Sequence, residues 1–157
     1  KLALGAAMIA ITAIIHAVMC DFVFKFIENH ASRFAFVFKR FWKIWAITVS
    51  IFMIGAALMV DIWLWTFLFY YLEPHTLKDI ETGLYFATIT FTTVGFGDVV
   101  LSHEWRLLSA STSINGMIIF GWSTAFIFEI MTALYLPSDK NRIQYGRRDY
   151  DRHNKHH

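Results

Sequence analysis

Residues 93–98 read Thr-Val-Gly-Phe-Gly-Asp and follow a threonine-rich run, Thr88-Ile89-Thr90-Phe91-Thr92. The chemistry open to this segment is coordination of a dehydrated cation rather than catalysis. A dehydrated potassium ion needs oxygen ligands in place of its water shell. Backbone carbonyls supply them when several consecutive ones point the same way. L-residues resist that geometry in an ordinary extended strand, whereas glycine enters the positive-φ region without steric penalty. Gly95 and Gly97 alternate with Val94 and Phe96, so small residues permit the backbone and large ones pack behind it. Carbonyls of Thr93, Val94, Gly95 and Phe96, with the Thr93 hydroxyl and Gly97 closing the segment, would form stacked potassium sites.

A second group with chemical potential lies inside apolar stretches. At 1.5 Å per residue, Asp61 falls about 16 Å, Asn115 about 15 Å and His16 roughly 20 Å from the outer ends of their segments. The shared depth predicts a buried polar layer in which Asp61 hydrogen-bonds Asn115, with His16 as a second partner. Two readings stay open: a static clip orienting the helices, or a proton-sensitive clip biasing a hinge. Nothing else in the chain has catalytic form. The histidines are scattered, Cys20 is a single cysteine without an intrachain partner, and no glycine-rich phosphate loop is present. An enzyme, an organic cofactor, a nucleic-acid partner and a small-molecule substrate are therefore not expected.

The elements that must position these residues are membrane helices. Hydrophobic residues make up 57% of the 157, and charged residues only 17%. A soluble domain of this size could not hide so much apolar surface. A bilayer core of about 30 Å needs about 20 apolar residues in a helix. Three stretches qualify, at residues 2–27, 43–72 and 105–136. The apolar segment 80–94 is too short to span and reads as re-entrant. Asp79 is a plausible N-cap for it, with Glu81 in the first turn. The first segment lacks a cleavage site for a signal peptide, and no functional weight falls on the terminal histidines. Lys25, Arg33, Lys39, Arg40 and Lys43 lie near the first connection, and Lys140, Arg142, Arg147, Arg148, Arg152 and Lys155 follow the last span. That asymmetry predicts a cytoplasmic C-terminus in the inner (cell) membrane. Trp42 and Trp45, and at the other end Trp63 and Trp65, suit interfacial belts. Phe34, Phe38 and Phe41 recur at helical spacing, which fits either an interfacial helix on anionic lipid or an extension of the second span.

Residues 93–98, together with their threonine-rich approach and the flanking spans, resemble the selectivity filter of the potassium-channel pore-loop family, usually Thr-Val-Gly-Tyr-Gly-Asp. Phe96 replaces the tyrosine. The resemblance covers residues 43–136. A narrower likeness, carried by Glu104-Trp105-Arg106-Leu107-Leu108 and Phe120-Gly121-Trp122-Ser123-Thr124-Ala125, points to small three-helix bacterial channels. The resemblance implies an all-α membrane protein: a peripheral transmembrane helix (1–30), an interfacial segment (31–42), a pore domain (43–136) and a basic cytoplasmic tail (137–157). Within the pore domain it implies an outer helix at 43–72, a re-entrant pore helix at 80–92, a filter at 93–97 and an inner helix at 105–136. It also implies a homotetramer, since each chain supplies one loop, with membrane lipid as the other partner and potassium ions as cargo.

By the same resemblance, Asp98 hydrogen-bonds back to the short helix, with Tyr85 as donor. Gly116 and Gly121 are candidate gating hinges, against the plainer reading that glycine in a membrane helix is a packing site. Met117, Phe120, Thr124 and Phe128 form a candidate cavity-lining stripe. Glu73, Asp79, Glu81, Asp98 and Glu104 would make the outer mouth acidic. No helix carries Arg or Lys at every third position, so no voltage sensor of the usual kind is expected. The implied function is passive, selective potassium conduction. The rivals are a weakly selective cation channel, a transporter subunit and a non-conducting sensor on the same fold.

Overall fold

The computed structural model describes residues 1–37 and 41–135. Four helices carry the chain: α1 (Leu2–Val37), α2 (Trp42–Leu72), α3 (Ile80–Phe91) and α4 (Arg106–Tyr135). Spans within α1, α2 and α4 of 28, 31 and 30 residues are each long and apolar enough to cross a membrane. Their apolar residues run round the whole cylinder, the pattern of helices solvated by lipid on one side and protein on the other. Phe22, Phe52 and Tyr71, for example, point outward. α3 has 12 residues, and at 1.5 Å per residue it is too short to cross.

α1 is one uninterrupted helix to Val37. The expected break near residue 30 is therefore absent, and residues 31–37 belong to the first helix rather than to a separate segment or an extension of the second. Phe38, Lys39 and Arg40 of the expected interfacial segment lie outside the described residues, as does the basic tail from residue 137.

α1 packs on both α2 and α4, while α3 wedges between α2 and α4. The buried face of α1 is Thr12, His16, Cys20, Val23 and Ile27, a spacing of three and four residues. The main core gathers around α3. Trp65 and Phe69 of α2, Phe86 and Phe91 of α3, and Leu108 and Ile119 of α4 are among its members. Phe69 meets Phe86 edge-on at 5.1 Å between ring centroids. A smaller core at the other end joins Val23, Ile27, Ala46 and Ile130. Trp65 is fully buried against Phe69, so it packs in the core instead of lying in an aromatic belt.

Candidate functional site

The sequence of α3 explains how it presents the loop that follows. Asp79, in an extended conformation, accepts a hydrogen bond from the Thr82 N–H at 2.7 Å and caps the helix. That bond favours the charged carboxylate and holds Asp79 below its ordinary pKa. Glu81 adds a second negative charge to the same turn. At the other end the Thr92 N–H donates to the Thr88 carbonyl at 2.9 Å. The chain then leaves the helix in a tight turn. Thr93 N–H donates to the Thr90 carbonyl at 3.1 Å, and Gly95 N–H to the Ile89 carbonyl at 3.0 Å.

The loop backbone alternates in handedness. Thr93, Gly95 and Gly97 have φ of 62°, 50° and 80°, while Val94 and Phe96 stay in the ordinary negative range. In a strand of uniform handedness, successive carbonyls alternate sides; inverting every second residue turns them toward a common side. Glycine accepts the inversion freely. Thr93 does not, and a β-branched residue there is strained by roughly 1–3 kcal/mol. All of Thr93 to Asp98 are exposed in the single chain, with Phe96 at 72%.

Several contacts hold this loop. Tyr85 donates to Asp98 Oδ2 at 2.7 Å, which ties the loop exit to α3 and raises the Tyr85 pKa. Ser113 of α4 donates to the Thr90 carbonyl at 3.0 Å. Gly116 of α4 lies directly on the last turn of α3: an added Cβ would collide with the Phe91 carbonyl oxygen and sit 2.8 Å from its carbon. Glu73, at the end of α2, was expected at an acidic outer mouth. It is instead buried and accepts hydrogen bonds from Ser102, beyond the loop, and from Thr76 at 2.9 Å. The Ser102 contact had no local signal, because that partner lies 29 residues away. A cavity of about 380 Å³ lies behind the loop, lined among others by Phe86, Thr90, Gly95, Gly97, Ser109 and Ser113.

On α4, Met117, Thr124 and Phe128 project away from the rest of the chain. Phe120 is half-buried and packs edge-on against Phe91 at 5.7 Å. Gly116 is in close packing, whereas Gly121 has nothing within 4 Å of an added Cβ.

His16, Asp61 and Asn115 are all fully buried, and of the two partners expected for Asp61 only His16 is found. Asp61 Oδ2 contacts His16 Nδ1 at 2.8 Å, while Asn115 donates to Thr12 Oγ1 at 2.8 Å. The predicted Asp61–Asn115 bond is thus replaced by two bonds through α1. Depth is only one coordinate; the rotation of each helix decides partners, and α1 presents Thr12 and His16 one turn apart toward both neighbours. Among the described residues no group of His, Cys, Asp and Glu is arranged to hold a metal ion.

Comparison with known proteins gives one match. Residues 56–133 fit the model of a family described as "Ion channel". No curated protein and no solved structure matches the chain. The matched stretch takes in the second half of α2, all of α3, the alternating loop and nearly all of α4. With three helices long enough to cross a bilayer, the chain is a multi-pass membrane protein whose residues 56–133 are similar to an ion-channel family, a class of proteins that are not enzymes.

Proposed function

We propose that this chain is the subunit of a passive, potassium-selective channel, and that four copies close a ring around one pore. The observation that carries this reading is the alternating backbone of residues 93–97, set at the C-terminal end of a short capped helix. A ring of such loops supplies stacked oxygen cages from Thr93, Val94, Gly95 and Phe96, with the Thr93 hydroxyl at the base and Gly97 at the exit. The α3 C-terminus carries partial negative charge, which favours a cation on its axis. Val94 and Phe96, bare in one chain, have neighbours to pack against only when further copies surround the loop. α3 then serves as the re-entrant pore helix, α4 as the inner helix, and Met117, Thr124 and Phe128 face the inner cavity. Gly121, free of packing, is the better-placed hinge of the two inner glycines. The surplus of Lys and Arg near the first connection and after α4 favours a cytoplasmic C-terminus in the cell membrane, against anionic lipid.

The test is potassium flux into liposomes. Gly95→Ala has room for its methyl, since nothing lies within 4 Å, yet φ of +50° is a conformation L-residues avoid. Potassium flux is expected for the wild type and to be lost in the variant while the oligomer persists. Undiminished flux in Gly95→Ala contradicts the assignment.

A further inference from the structure

α1 lies outside residues 56–133, yet it is tied to α4 by buried side chains along its length. Near its start, Gly5 packs against Ser111, and an added Cβ would lie 2.5 Å from the Ser111 hydroxyl. Thr12 accepts from Asn115 at 2.8 Å. His16 Nε2 contacts Ser123 Oγ at 3.1 Å, and its ring meets the Trp122 ring edge-on at 6.1 Å. Asp61 of α2 holds the other ring nitrogen at 2.8 Å.

The hydrogen positions in this chain of contacts follow from counting. Ser123 has one hydroxyl hydrogen and donates it to the Ile119 carbonyl at 2.8 Å. Toward His16 it therefore accepts, so Nε2 carries a hydrogen. A second hydrogen must lie between His16 Nδ1 and Asp61 Oδ2. Whether that hydrogen sits on nitrogen or oxygen, the pair is net neutral, as a fully buried site requires. The other titratable group on the buried face of α1 here is Cys20; α4 brings Asn115, Trp122 and Ser123, none of which titrates.

The two hydrogen-bonded levels fall on opposite sides of the inner glycines. Asn115 immediately precedes Gly116, which is locked onto Phe91. Ser123 follows Gly121, which nothing confines. A bend at Gly121 moves Ser123 relative to α1 and leaves Asn115 in place.

We propose that His16, oriented by Asp61, is a positioning residue that restrains the inner half of α4 through Ser123, while Thr12–Asn115 is a fixed anchor. α1 is thus part of the gate rather than a peripheral addition. This rests on the channel reading and on bending at Gly121. The restraint exists in one position of α4 and not in the other, so removing it changes the fraction of time spent open.

The experiment is single-channel recording of the full chain in planar bilayers, with thermal unfolding of the same preparations. Ser123→Ala is expected to change open probability about 3- to 10-fold, the range for one buried hydrogen bond, at unaltered unit conductance. Thr12→Val is expected to lower thermal stability and leave open probability within about twofold of wild type, because its partner lies on the immobile side. Asp61→Asn still offers a donor to Nδ1 and should keep wild-type gating, while Asp61→Leu should behave as Ser123→Ala. Wild-type open probability in Ser123→Ala overturns the proposal, as does an equal effect from Thr12→Val. A wild-type chain that passes no current refutes the channel reading itself, which separates that failure from this one.

Discussion

Gly116→Ala offers the sharpest test of how α4 supports the loop. The added methyl would overlap the Phe91 carbonyl oxygen and lie 2.8 Å from its carbon and 3.3 Å from its Cα. Favourable carbon–carbon contact begins near ~3.5 Å, so the end of α3 must retreat by about 0.7 Å or more. The obstacle is backbone at the last turn of a helix, which cannot rotate aside as a side chain can. Overpacking of this kind costs about 1–3 kcal/mol. Phe91 is separated from the strained Thr93 by one residue, so the same shift reaches the base of the loop. Gly121→Ala is the matched control, because its methyl meets nothing within 4 Å. Replacing glycine by alanine in a helix interior gains roughly 0.5–1 kcal/mol. Thermal unfolding followed by tryptophan fluorescence in detergent should place Gly116→Ala below wild type and Gly121→Ala at or above it. Potassium flux should fall in Gly116→Ala. If Gly116→Ala matches the wild type in both unfolding and flux, the close contact with α3 does not support the loop and this account of α4 is wrong.

Three further outcomes follow from the loop's supports. Tyr85→Phe removes the donor to Asp98 and leaves the ring; conduction should begin normally and decline faster during sustained recording, and an unchanged time course would remove Tyr85 as a brace. Asp79 has a depressed pKa, so its capping contribution is complete above the ordinary aspartate range and is lost as pH falls through its lowered value. Stability of the Asp79→Asn variant should accordingly vary less with acidification than that of the wild type, read from melting curves across the acidic range. Val100, two residues past Asp98, is exposed and has no aromatic face, so external quaternary ammonium should block weakly. Val100→Tyr should strengthen that block, and no gain would place residue 100 away from the mouth.

What the sequence made legible was whatever depends on local pattern. Hydropathy and length located α2 and α4 to within one residue at each end, because a bilayer imposes a minimum apolar run, and placed α3 inside the segment 80–94. The Asp79 cap and the Tyr85–Asp98 contact were also foreseeable, one from N-terminal helix chemistry and the other from family resemblance. Relations set by rotation and packing were not legible. Asp61 and Asn115 share a depth but face different residues of α1. Glu73 looked like a free mouth charge because nothing nearby announces Ser102 as its partner. Thr93 gave no sign of positive φ, since a β-branched residue ordinarily argues against it. Gly116 drew attention as a hinge, and only three-dimensional packing reveals the Phe91 backbone against it.

The central claim is that residues 93–97 select potassium. The measurement that tests it most directly is the reversal potential of the purified chain in a planar bilayer, with potassium on one side and an equal concentration of sodium on the other. A selective oxygen-lined filter predicts a reversal potential displaced far toward the potassium equilibrium value, and loss of that current in Gly95→Ala. Robust current reversing near zero would show that the loop passes both ions alike, and would contradict the account.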